Sequence, residues 1–133
     1  MKLSRLKIDR DLATNGVWVE FAPGVEFLIA RAQNAKYRAV YAQLSRDYAD
    51  VLRNGNLDED VAREIAAEAN ARAVLLGWRG VEDDEGNAID YTWEKGKEVL
   101  ADPAYEDIFD FVVTVSNTRH RYRVREKEEA LGN

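Results

Sequence analysis

The sequence has no cysteine, one histidine, one methionine and two prolines in 133 residues. Without cysteine there is no disulfide, no thiolate nucleophile and no cysteine-based zinc or iron–sulfur site, a pattern that suits a reducing compartment. A single imidazole, His120, excludes histidine-based metal clusters and any relay that needs two rings. No apolar run approaches the roughly 20 residues of a membrane span. Residues 1–10 alternate charged and apolar side chains, where a secretory signal needs an unbroken apolar stretch. A cytoplasmic protein without membrane association is expected, stabilised by packing alone.

What is present is a composition of 46% hydrophobic and 33% charged residues. A chain of this length fits one domain over residues 1–133 and buries roughly two-thirds of the surface its unfolded form exposes. The high charge fraction means that most helices carry a solvated face. A formal net charge of −6 opposes extensive phosphate contact, so nucleic acid is a disfavoured partner.

The pattern along the chain predicts an α+β fold, mainly helical, with about four helices, an N-terminal β-hairpin and a small second hairpin. Val17-Trp18-Val19-Glu20-Phe21 and Val25-Glu26-Phe27-Leu28-Ile29 flank Ala22-Pro23-Gly24. Proline presets φ and glycine accepts positive φ, so the turn and its β-prone flanks read as a hairpin within a region of about 1–32. Leu3, Leu6 and Ile8 suggest a further edge strand. From 34 to about 125 the chain reads as helical. Asn34 caps a helix with apolar residues at Tyr37, Val40, Tyr41, Leu44, Tyr48, Val51 and Leu52. A second, alanine-rich helix begins at Asp58, carries Val61, Ile65, Ala69 and Leu76 on one face, and stops at Gly77. The two form a helical hairpin. Residues 78–91 hold the second β-hairpin around Asp83-Asp84-Glu85-Gly86-Asn87. Thr92 caps a short helix to Leu100, and Asp102-Pro103 opens a long final helix through Tyr105, Ile108, Phe109, Val112, Val115 and Arg119. The tail is expected to fray after Arg125.

No constellation of catalytic, cofactor-binding or metal-ligating residues emerges. The acidic turn at 83–87 has the wrong spacing for calcium, because aligning Gly86 with the loop's glycine puts Val81 and Thr92 at ligand positions. His120 lies among Arg119, Arg121 and Arg123 with no carboxylate placed to orient it as a base. Ser4, Ser45 and Ser116 lack a nucleophile elbow, and the paired carboxylates have no apolar bracket to raise a pKa. A non-enzyme is expected, with no cofactor.

Two segments suggest protein contact. Residues 119–127 are the one strongly basic stretch, with Tyr122 interleaved among Arg119, Arg121 and Arg123. Cations at a helix end oppose the macrodipole or meet an acidic partner, and an exposed tyrosine there stacks on nucleobases. Tyr37, Tyr41 and Tyr48 form a stripe wider than one partner helix requires, although tryptophans and tyrosines more often serve the core.

The order of these features resembles the tail assembly chaperones of long-tailed, siphovirus-type bacteriophages. The likeness rests on Gly16-Val17-Trp18-Val19-Glu20-Phe21, Leu75-Leu76-Gly77-Trp78-Arg79-Gly80-Val81, Asp84-Glu85-Gly86-Asn87-Ala88-Ile89, Tyr91-Thr92, Val99-Leu100 and Asp102-Pro103. It covers the chain from about Gly16 onward through short structural motifs. The resemblance implies a protein that coats the tape-measure protein, helps recruit tail-tube subunits and leaves the finished tail. It also implies a longer product made by a −1 ribosomal frameshift, and Leu131-Gly132-Asn133 is codon-compatible with the slippery run G-GGA-AAC. A second copy of the chain is a further candidate partner. Two alternatives stay open: a head-tail connector or other virion structural part, and a small nucleic-acid-binding regulator using residues 119–127.

Overall fold

A computed structural model describes residues 1–55 and 59–124. The N-terminal hairpin forms where aromatic and β-branched residues flank the turn: β1, Val17–Ala22, pairs antiparallel with β2, Val25–Ile29. Gly24 adopts φ 80°, which glycine enters without a Cβ clash. Alternation then sorts the side chains. Val17 and Val19 face Ile29 and Phe27 across the pair and enter the core, while Trp18, Glu20, Glu26 and Leu28 take the opposite face.

A third strand, β3, Leu75–Arg79, joins β2 antiparallel to give the order β1-β2-β3. This corrects the expectation that the second helix runs through Leu76 to Gly77. The helix ends at Ala73, and the β-prone run that follows pairs with β2 from Leu75 to Arg79, with Leu75 and Trp78 buried.

The helices are α1 (Arg10–Asn15), α2 (Ala35–Asp47), α3 (Ala49–Arg53), α4 (Glu59–Ala73), α5 (Trp93–Ala101) and α6 (Glu106–Ser116). Four of them have seven residues or more, so the fold is α+β with a mainly helical chain. The expected cap residues hold: Asn34 accepts from the Tyr37 N–H at 2.9 Å, and Thr92 from the Lys95 N–H at 3.2 Å. Asp102 accepts from the Ala104 N–H at 2.9 Å, but Pro103–Tyr105 is a 3-10 turn and α6 follows it.

Other expectations give way. Residues 3–8 form no edge strand: Leu3–Leu6 is a 3-10 turn and only Ile8 bridges, to Arg123. The first long helix divides at Tyr48, which turns off helical geometry at φ −100°, ψ 16°. The final helix stops at Ser116 rather than reaching Arg119. Ser116, Asn117 and Thr118 donate side-chain hydrogen bonds back to the Val113 and Thr114 carbonyls at 2.7–2.9 Å, so three successive polar residues satisfy the helix's last acceptors and release the chain. The second hairpin shrinks to one bridge, Glu82 with Ala88. The expected helix start at Asp58 and the tail from 125 lie outside the described residues.

Helices α4, α5 and α6 cover one face of the sheet. Phe27, Ile29, Leu75, Trp78, Leu100 and Val112 are buried there, each apolar side chain of this size contributing about 1.5–3 kcal/mol by leaving water. The alanines of α4 explain its place: Ala67 and Ala71 join this core, while Ile65 and Ala69 meet Val40 and Leu44 of α2 in a second cluster. Small side chains let α4 be buried on two sides, and the expected α2/α4 pairing is formed.

Candidate protein-binding surfaces

The middle of the chain builds a groove of about 430 Å³. Its apolar lining is Phe27, Trp78, Val81, Ile89, Val99 and Ile108. Around these stand six carboxylates, from Glu82, Asp83, Asp84, Glu85, Glu98 and Asp102, against one ammonium, from Lys95.

The walls are fixed by close contacts. The Trp78 Nε1–H donates to the Ile89 carbonyl at 2.8 Å, and the Trp78 ring meets Tyr91 edge-on at 4.8 Å. Tyr91 Oη lies 2.5 Å from the Ala71 carbonyl and 2.6 Å from that of Leu75, and its one proton serves one of them at a time. Burial pushes this phenol well above the ordinary tyrosine range. Gly80, at φ 82°, lies so close to the hairpin turn that a Cβ there would sit 1.8 Å from the Gly24 carbonyl oxygen. The acidic turn has a structural role as well: Asp83 accepts from the Glu85 and Asn87 N–H groups at 3.0 and 2.9 Å. The hydrogen bond from Asn87 is the main reason its carboxyl is held below the usual range.

The opposite end of α6 carries the other sign. Ile8 bridges Arg123, the Asp9 N–H donates to the Tyr122 carbonyl at 2.7 Å, and the Val124 N–H donates to the Lys7 carbonyl at 2.9 Å. Residues 1–10 and 119–124 are thereby brought side by side, placing seven cations and one carboxylate on them. Of the residues expected to meet a partner here, Arg119 and Arg123 are exposed and Arg121 is half-buried. Tyr122 is fully buried, and its phenol donates to the Ile29 carbonyl at 3.0 Å. That corrects the expectation of a stacking or docking tyrosine: the ring fills the core beneath the arginines. Burial pushes its phenol up to about 12. His120 is exposed on the same 3-10 turn.

The tyrosine stripe is divided in its use. Tyr37 stacks on Tyr41 with centroids 6.0 Å apart and packs against both cores, Tyr48 packs on the second cluster, and Tyr41 stays 48% exposed. Tryptophan also departs from the expected core role, since only Trp78 is buried. Trp18, 41% exposed, lies on the outer sheet face beneath Arg79 at 4.1 Å, and Trp93 lies beneath Arg72 at 5.2 Å.

Among the described residues, no three His, Asp or Glu side chains are grouped to hold a metal ion, and no helix is long and apolar enough to cross a membrane. A family model described as YdaY prophage protein matches residues 32–133. The chain belongs to the YdaY prophage protein family. It is therefore phage-derived, and both the groove's helical walls and the arginines at 119–123 lie inside the YdaY match. No curated protein and no solved structure matches the chain.

Proposed function

We propose that this YdaY-family protein is a non-enzymatic tail assembly chaperone acting in the host cytoplasm, where it binds the tape-measure protein and helps bring tail-tube subunits to it. The observation that carries the reading is the acid-rimmed apolar groove, supported by the prophage family and by the resemblance of its motifs to tail assembly chaperones. A tape-measure protein presents long amphipathic helices whose apolar stripes aggregate when bare. A groove with an apolar floor receives one such stripe, and its charged rim keeps the complex dissolved. Tyr41, Trp93 and Tyr105 add exposed amphipathic surface of the kind enriched at interfaces.

Co-expression with the tape-measure protein of the same prophage is the test. A soluble complex is expected with the native chain, and aggregated tape-measure protein with Val99→Glu, which places a charge on the groove floor. Equal insolubility of the tape-measure protein with and without this chain would end the proposal. A virion structural role makes a different prediction, retention of the chain in purified particles, which mass spectrometry reads. For a nucleic-acid regulator, burial of Tyr122 leaves phosphate contact by the arginines as its only support.

A further inference from the structure

The groove and the basic end are opposite in charge. One is concave, apolar at its floor and ringed by six carboxylates. The other is a pair of adjoining exposed segments whose apolar residues face solvent: Leu3 is 81% exposed, Leu6 48% and Val124 45%. Exposed leucines between lysines and arginines are what an acid-rimmed apolar groove is suited to receive. Within one molecule the two features lie at opposite ends of α6. The groove takes Ile108 from the first turn of α6, whereas the basic end continues from Ser116 at its last, roughly 12 Å further along the axis at 1.5 Å per residue.

We infer that the chain self-associates head to tail, the basic end of one copy, with Leu3, Leu6 and Val124 as apolar anchors, seated in the acid-rimmed groove of the next. Both halves of the contact are present on every copy, so each bound molecule offers a fresh groove and a fresh basic end. Such a heterologous contact propagates into a ring or a filament. The groove that takes a client helix in the chaperone reading is here filled by the neighbouring copy, so client and self-association exclude each other at this site, and the inference stands on the two surfaces and not on that reading. An unrelated cationic partner in the groove is the competing occupant.

Charge exchange distinguishes them. In one variant the rim is reversed by Asp84→Lys and Glu85→Lys, leaving Asp83 to hold its turn. In the other the basic end is reversed by Lys7→Glu, Arg119→Glu and Arg123→Glu, all exposed side chains. Sedimentation velocity of the full chain should show the native protein associating with rising concentration, and more weakly as salt screens the rim over a Debye length of about 8 Å at physiological ionic strength. Each variant alone should need at least about tenfold more protein to associate, since like charges then face each other. An equimolar mixture should recover association, because each reversed rim now meets a reversed basic end. Circular dichroism of each variant alone secures that both are folded. A native chain that stays monomeric up to about 0.5 mM overturns the inference, as it leaves the groove to another partner. Association that neither variant weakens, or a mixture of two folded variants that stays apart, overturns it equally.

Discussion

The two ends of α6 are held by different means. At its start, the groove is braced by backbone approaches that admit no side chain: Gly80 against Gly24, and Gly96 under Tyr91, where a Cβ would lie 2.5 Å from the phenol oxygen. At its end, the basic surface hangs on one buried phenol and a narrow bridge between Ile8 and Arg123. The groove's turn is a local construction with several redundant contacts. The basic end joins segments from opposite ends of the sequence, so loosening the buried phenol loosens both.

The largest effect should therefore come from Tyr122→Ala, which empties the volume of a fully buried ring and is expected to cost about 3–5 kcal/mol in chemical denaturation. Tyr122→Phe keeps the ring and loses only the hydrogen bond to Ile29, costing about 1 kcal/mol. Hydrogen exchange would sharpen the contrast: in Tyr122→Phe the amides of Asp9 and Val124 should exchange faster while those of Asp83 and Ile89 stay unchanged. Equal acceleration at both ends would show that the two are one cooperative unit.

Next in size, Gly80→Ala forces a methyl group into the Gly24 carbonyl at a backbone conformation that L residues avoid, and should cost about 2–4 kcal/mol. Unlike Tyr122→Phe, it should speed exchange in residues 82–89 and leave the basic end alone. Gly96→Ala should be milder. Its gain in helix propensity, about 1 kcal/mol, offsets much of the overpacking against Tyr91, which costs about 1–3 kcal/mol, so a net loss near 1 kcal/mol is expected.

How far these features could be read from the sequence depends on how local they are. The hairpin and the caps at Asn34, Thr92 and Asp102 are set by neighbouring residues and were legible as such. β3 was not, because the alanine-rich helix passes into Val74-Leu75-Leu76 without a break and Gly77 mimics a helix stop; pairing with β2, far away in sequence, decides the strand. Tyr122 misleads for the same reason. Its arginine neighbours suggest a surface, while its partner Ile29 lies 93 residues away. The groove shows the mixed case. Its acidic turn is visible in the sequence as a solvated loop, but the apolar floor needs Phe27 and Ile108 brought beneath it by the tertiary fold.

Titration probes both ends at once. Tyr122 and Tyr91 have phenols raised above the ordinary value near 10, Tyr122 to about 12. The folded chain thus keeps protons that the unfolded chain releases, so stability that is complete below about pH 10 falls as pH rises, by up to about 1.4 kcal/mol per pH unit for each phenol. Tyr122→Phe should remove one share of that slope. If the slope is unchanged, the phenol is not buried as described.

The smallest effect belongs to Asp83, and its sign runs the other way. Its carboxyl is held below the usual range by the N–H of Asn87, so its contribution is present above the unfolded pKa, near 3.8, and disappears as pH falls through the lower folded value. Asp83→Asn keeps an acceptor for the turn but loses the charge. The stability gap between native and variant protein should be small at neutral pH and close below about pH 4, where the native carboxylate also becomes protonated. At neutral pH the same substitution takes one of the six carboxylates from the groove rim while leaving the fold intact. A head-to-tail contact driven by that rim should weaken slightly but measurably in Asp83→Asn, and should weaken in the native chain itself as the solution is acidified.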